Sequence, residues 1–172
     1  MKLLAIAAMI FAASLTGTSA TAQDLWRGVQ VGMSPEQVQG LLPEAEPALG
    51  EDIQGQTLRL RAGGFELANV AFVANFYFTG HSLQSVILRP EAEQSATIVM
   101  SMAEAIIPQL GLKYGPPYDC EINRRSISGI TGTHCSWLAG GAQIGLFASH
   151  MSYSLPHFSL VYQRAKLDTD NL

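Results

Sequence analysis

The chain has 172 residues, with 10 Lys and Arg against 14 Asp and Glu, a formal charge of −4. Only 14% of its residues are charged, where about 25% is usual. This balance excludes a sequence-independent nucleic-acid binder and a protein held to anionic lipid by charge, since both need a basic surface. The neutral polar surface that remains suits contact with another protein, and equally an ordinary exported surface.

Met1-Lys2 supplies a positive start, Leu3 to Leu15 is apolar and uncharged, and Ala20-Thr21-Ala22 has the small-x-small pattern of a signal-peptidase site. Residues 1–22 therefore read as a cleavable secretory signal. The apolar run is about thirteen residues, short of the roughly 20 that a spanning helix needs. The first cysteine is Cys120, so no lipid acceptor stands near the cleavage point. Expected is one α+β domain over 23–164, followed by a flexible tail at 165–172. Its place is periplasmic or secreted, and it does not span the membrane. A domain of this size buries roughly two-thirds of its unfolded surface around one core.

Trp26 to Met33 reads as a short extended lead-in. A helix follows, because Ser34 suits the cap, Pro35 the first helical position and Gln37 the third position of a capping box. Val38, Leu41 and Leu42 give it an apolar face, and Pro43 stops it. Pro43 to Gly55 reads as an acidic loop. From Gln56 the period changes to two. Leu58 and Leu60 alternate with Arg59 and Arg61, Gly63-Gly64 punctuates, and Phe65 to Phe78 continues as one long strand. Val70, Phe72, Ala74, Phe76 and Phe78 share its core face. Thr79 to Ser82 is a turn containing His81, and Leu83 to Arg89 returns, completing an antiparallel meander.

A long helix is expected from Pro90, with Ala92, Ala96, Val99, Ala103, Ile106 and Leu110 on one stripe. Glu91 and Glu93 would fall in its first turn, where negative charge complements the helix dipole. Pro108 predicts an end or kink near Ile107. Strands follow at about Tyr118 to Arg125, His134 to Leu138, Gln143 to His150 and His157 to Arg164. Ser128-Gly129, Gly140-Gly141 and Ser154-Leu155-Pro156 mark the turns, and Gly132 is assigned to a turn as well. The fold class is thus α+β, antiparallel sheet or sheets with two helices, in a helix-then-meander arrangement given twice.

Cys120 and Cys135 flank the first of these turns almost symmetrically, so a hairpin sets them opposite one another and an oxidising compartment would join them. The competing reading, a reactive or metal-binding thiol pair, lacks a C-x-x-C. His81, His134, His150 and His157 are candidates for metal or general-base work. Of these, His150 and His157 flank the last turn and would be the pair to meet. No H-x-x-x-H or H-E-x-x-H accompanies them. No G-x-S-x-G or phosphate loop is present either. The paired carboxylates Glu44/Glu46, Glu51/Asp52, Glu91/Glu93 and Asp119/Glu121 sit at loops or element ends, as solvated acids do. Arg124-Arg125 is a candidate for binding an anion, with one side chain on each strand face the competing reading. Trp26 and Trp137 are candidate partner contacts, with core packing the competing role. No catalytic, cofactor or metal residue is assigned.

Val29-Gln30-Val31-Gly32-Met33-Ser34-Pro35-Glu36-Gln37-Val38-Gln39-Gly40-Leu41-Leu42-Pro43 resembles the opening of small outer-membrane-assembly lipoprotein domains of the SmpA/OmlA type. Phe76-Tyr77-Phe78-Thr79-Gly80 to Val86-Ile87-Leu88 resembles their strand, turn, strand continuation, and the doubled layout is similar to the tandem arrangement of secreted β-lactamase-inhibitor proteins. The match spans Val29 to Leu88 and departs from the lipoproteins in lacking a lipidation Cys and in carrying a second, disulfide-bearing half. The resemblance implies protein binding without catalytic residues. The function expected is a non-enzymatic periplasmic protein-binding or envelope-assembly module. The alternatives are a metal-dependent or hydrolytic enzyme using His150 and His157, and a secreted enzyme inhibitor.

Overall fold

The computed structural model describes residues 24–50, 52–125, 129–151 and 154–165. The expected signal at 1–22, Ser128 and the tail beyond Ala165 lie outside these. The lead-in is a tight hairpin, β1 (Asp24–Trp26) and β2 (Val29–Gln30), turned by Arg27 and Gly28, both at positive φ. It is tied to the main sheet where Gly32 N–H donates to Leu83 and Leu83 N–H to Met33. Helix α1 (Pro35–Leu41) starts as the residues require: Gln37 N–H donates to Ser34 Oγ, and Ser34 N–H to Gln37 Oε1 at 2.8 Å. The Ser34 hydroxyl also donates to Glu36, whose carboxyl is held below its ordinary range chiefly by that bond.

Eight antiparallel strands form one sheet. Their order is β3 (Glu46–Pro47), β4 (Thr57–Leu67), β5 (Val70–Thr79), β6 (Ser82–Pro90), β10 (Ser154–Arg164), β9 (Ala142–Met151), β8 (Thr131–Ala139) and β7 (Asp119–Arg125). The 19-residue helix α2 (Ala96–Tyr114) connects the two halves and packs on β8, β9 and β10. Val38 of α1, the β1–β2 hairpin and the α2 stripe Val99, Met102, Ala103, Ile106 and Leu110 join one core on a single face of the sheet. Both halves thus share one sheet and one core.

Several local expectations change. Gly63 and Gly64 lie inside β4, and the turn falls at Ala68-Asn69, both at positive φ, so the long strand expected from Phe65 to Phe78 is a hairpin. An irregularity in β4 pairs Leu58 with Tyr77 but Leu60 with Phe76, so the two leucines point to opposite faces and do not share one. Pro43 to Gly55 is not all loop, because Glu46 and Pro47 pair with Arg61 and Leu60 at the sheet edge. Pro90 ends β6 and does not open the helix: Ser95 caps α2, leaving Glu91, Ala92 and Glu93 in the connector. The helix also runs through Pro108 to Tyr114 without ending at Ile107. Pro108 and Glu104 are both exposed, so the carbonyl freed by the missing N–H faces water. Gly115, at φ 85°, caps the end. Ser154, Leu155 and Pro156 belong to β10, and Gly132 to β8.

Cys120 and Cys135 are directly paired across β7 and β8, with Cα atoms 4.0 Å apart, and form the disulfide. Every residue of β7 is exposed, so this edge strand is held by its ladder, by the bridge and by Asn123, whose N–H donates to Thr133 Oγ1 at 3.0 Å. A closed loop of this kind contributes about 3 kcal/mol by loop-entropy reasoning. Reduction is therefore expected to lower unfolding free energy by about that amount. Amide exchange should quicken in residues 119–125 well before 142–148. Uniform loss of protection across the sheet would contradict this.

Candidate functional site

Strand alternation gives the sheet a second face, away from the helices. Over the first half it is sealed. Leu58, Tyr77 and Ile87 form a small cluster there under Ala48 and Ile53 of the connector, with Val161 beside them. The seal is pinned by hydrogen bonds, Ala48 N–H to the Arg59 carbonyl and Ser85 Oγ to Gln56 Oε1 at 2.7 Å. Gly50 lies against Leu58, where a Cβ would come within 2.5 Å of the leucine side chain.

Over the second half the same face is open. His134 and Phe147 are opposite partners on β8 and β9, and their rings stack at 4.5 Å with 13° between planes. Phe147 remains 40% exposed. Its ring also leans over Gly145, where a Cβ would lie 2.8 Å from it, so glycine makes room for this orientation. Leu138 and Met151 are exposed on the same face. A concavity of about 1,040 Å³ opens beside Phe147 and His157, with Glu121 and Arg124 at its rim. Those two rim residues form an ion pair.

Two His-x-Ser pairs punctuate this face. His134 Nε2 lies 3.1 Å from Ser136 Oγ on β8, and His157 Nε2 lies 3.1 Å from Ser159 Oγ on β10. Asp119 Oδ2 stands 4.0 Å from His134 Nδ1, so Asp119, His134 and Ser136 fall in the order of a base-activated nucleophile. The chemistry fails on two counts. The first gap exceeds a hydrogen bond, and Ser136 is only 2% exposed, leaving its hydroxyl no approach for a substrate.

His150 and His157 do not meet as expected. His157 pairs with Ser149, the neighbour of His150, so the two imidazoles point to opposite faces. Among the described residues no three His, Cys, Asp or Glu side chains converge as metal ligands. His81 lies exposed in its turn. Trp137 is wholly buried on the helix face, 0% exposed, and has no surface to present to a partner. Trp26 is half-buried against Phe65 and Phe76, with the Arg27 guanidinium over its ring. It lines a separate small cavity with Lys113 and Tyr114. Phe147 and Arg89 are the residues that sequence reasoning missed. The repeated His-x-Ser at period two could have marked the outward face of β8 and β10.

Among the described residues no helix is long and apolar enough to cross a membrane. No protein-family model, curated protein or solved structure matches the chain.

Burial first, and the Arg89 charge second, hold the His157 imidazole below its usual 6.5. The unfolded chain therefore takes up the proton before the folded one does. Stability is intact above about pH 6.5 and falls as pH drops below it toward the folded-state value. Denaturation midpoints should hold above about pH 6.5 and decline as the pH is lowered below it, and His157→Gln should flatten that decline. An unchanged slope in the variant would remove His157 as the cause.

Proposed function

We propose that this protein is a non-enzymatic binding module of the periplasm or cell envelope, docking a folded envelope protein on the open face of β7–β10. The observation that carries the reading is the asymmetry of the sheet: one half of the outer face is sealed by the chain itself, while the other leaves Phe147 exposed. An aromatic ring held rigid by a stacked neighbour presents area at little cost in side-chain entropy. Around it lie exposed Leu138 and Met151 and the neutral Gln143, Ser149 and Gln163, while the charged Glu121, Arg124 and Arg125 stand to one side on β7, as interfaces place charge at the rim.

The disulfide supports an oxidising compartment, and residues 1–22 supply the export signal in this reading. A helix followed by a meander, taken twice, would place the protein near the tandem inhibitor layout it resembles. Both kinds of protein resembled bind other proteins.

A photo-reactive residue placed at Ser149 in cells should give a discrete adduct with an envelope protein. The same residue at Leu112, exposed on α2 at the opposite side, should give none. Gly145→Ala, which displaces the Phe147 ring without changing any exposed side chain, should reduce the adduct on the order of tenfold, the scale of a central aromatic contact. If the captured protein is an enzyme whose turnover the module suppresses, the function narrows to secreted inhibition. Equal labelling from both positions, or none from Ser149, overturns the proposal.

A further inference from the structure

At the border between the sealed and open parts of the outer face, β6 and β10 bring Arg89 and His157 onto one side of the sheet. Val73 pairs with Arg89 and Val161 with Ile87, which places Arg89, Ser159 and His157 on the outer face together. Arg89 and His157 line a cavity of about 230 Å³ with Pro156 and the connector residues Glu91, Glu93 and Gln94. Arg89 Nε is buried, yet no acceptor reaches it, and among the described residues Arg89 takes part in no ion pair. A buried guanidinium N–H without an acceptor is a costly arrangement that folded chains seldom keep.

We infer that the Arg89 guanidinium, with His157 and Ser159 beside it on the outer face, is a receptor for a carboxylate. The planar guanidinium fork matches a carboxylate's two oxygens. The Ser159 hydroxyl, 3.1 Å from His157 Nε2, fixes the imidazole beside it. Glu91 and Glu93 line the same cavity and oppose a dianion more than a monoanion, which favours a carboxylate over phosphate. Glu121, Arg124, Arg125 and His134 share the larger concavity with His157 and complete the charged groups around it. A bound carboxylate stabilises the imidazolium, so binding and protonation of His157 are linked. The site stands whether or not the open face docks a protein, since a small free acid could supply the same group.

Nuclear magnetic resonance titration of the His157 ring in the full chain tests this, with the resonance assigned by His157→Gln and His150 as internal control. Acetate and a capped aspartate peptide are the two carboxylate probes, with capped asparagine and inorganic phosphate alongside. Acetate should raise the His157 pKa saturably and leave His150 unmoved. Arg89→Gln should weaken the effect at least tenfold, and Arg89→Lys should weaken it less. A response to the aspartate peptide as well as to acetate identifies a side-chain carboxylate as admissible, and a response to acetate alone identifies a small free acid. No response to either carboxylate, an equal response to asparagine, or a response to phosphate alone overturns the inference. A failed cross-link at Ser149 leaves it standing.

Discussion

The pairing of β6 with β10 sets Leu88, Ile87, Val86 and Ser85 against Leu160, Val161, Tyr162 and Gln163, and by doing so turns two meanders into one sheet. Because side chains alternate, these paired positions send Leu88, Val86, Leu160 and Tyr162 to the helix face and the others outward. The inner set merges the apolar residues of both halves into one continuous core. Burial there, with Tyr114 adding to it, pushes the Tyr162 hydroxyl far above its ordinary range, so it stays protonated. The junction also moves the free sheet edges to β3 and β7. The first is two residues long and ends in Pro47, which discourages pairing with another chain. The second is exposed throughout and is fastened by the disulfide.

With the helices committed to one side, the outer face is where the halves diverge. The irregularity in β4 turns Leu58 outward, and an outward leucine needs a cover, which the connector with Ala48, Gly50 and Ile53 provides. Among the described residues no comparable segment lies over Phe147. The difference follows from connection lengths: a long connector runs from Pro43 to Ile53, whereas β8 and β9 are joined by the tight Gly140-Gly141 turn. A tight hairpin has no chain to spare for folding back over its own sheet.

Much of this architecture was legible in residue order. Ser34, Pro35 and Gln37 mark the start of α1 because capping is local chemistry, and the alternation from Val70 to Phe78 marks the core face because a strand's period is local geometry. The near-symmetric placement of Cys120 and Cys135 about a turn likewise locates their pairing. What escaped depends on neighbours distant in sequence. Ala68-Asn69 lacks the glycine that usually announces a tight turn, so Gly63-Gly64 drew the boundary instead. The sides of Leu58 and Leu60 depend on an irregularity that only pairing with β5 reveals. His150 and His157 looked adjacent across a turn, but register decides faces, and it separates them. The site shows the same limit more sharply, since the first half is covered by its connector and no described residue covers Phe147 in the same way.

Neutral apolar area and isolated charge do different work on the open surface. Phe147, with Glu121, Arg124 and Arg125 to one side, offers contact area, but area alone fixes neither register nor partner. Arg89 stands at the boundary of that area, its Nε buried without an acceptor, so its best-satisfied state includes a negative group in one position. A misplaced partner would leave the guanidinium desolvated and unpaired, at a cost larger than most rim contacts return. Burial first and this charge second disfavour protonation of His157, and a bound carboxylate offsets the second, which ties occupancy of the border site to pH. Selectivity on this face then rests on the fixed fork of Arg89, which takes part in no ion pair among the described residues.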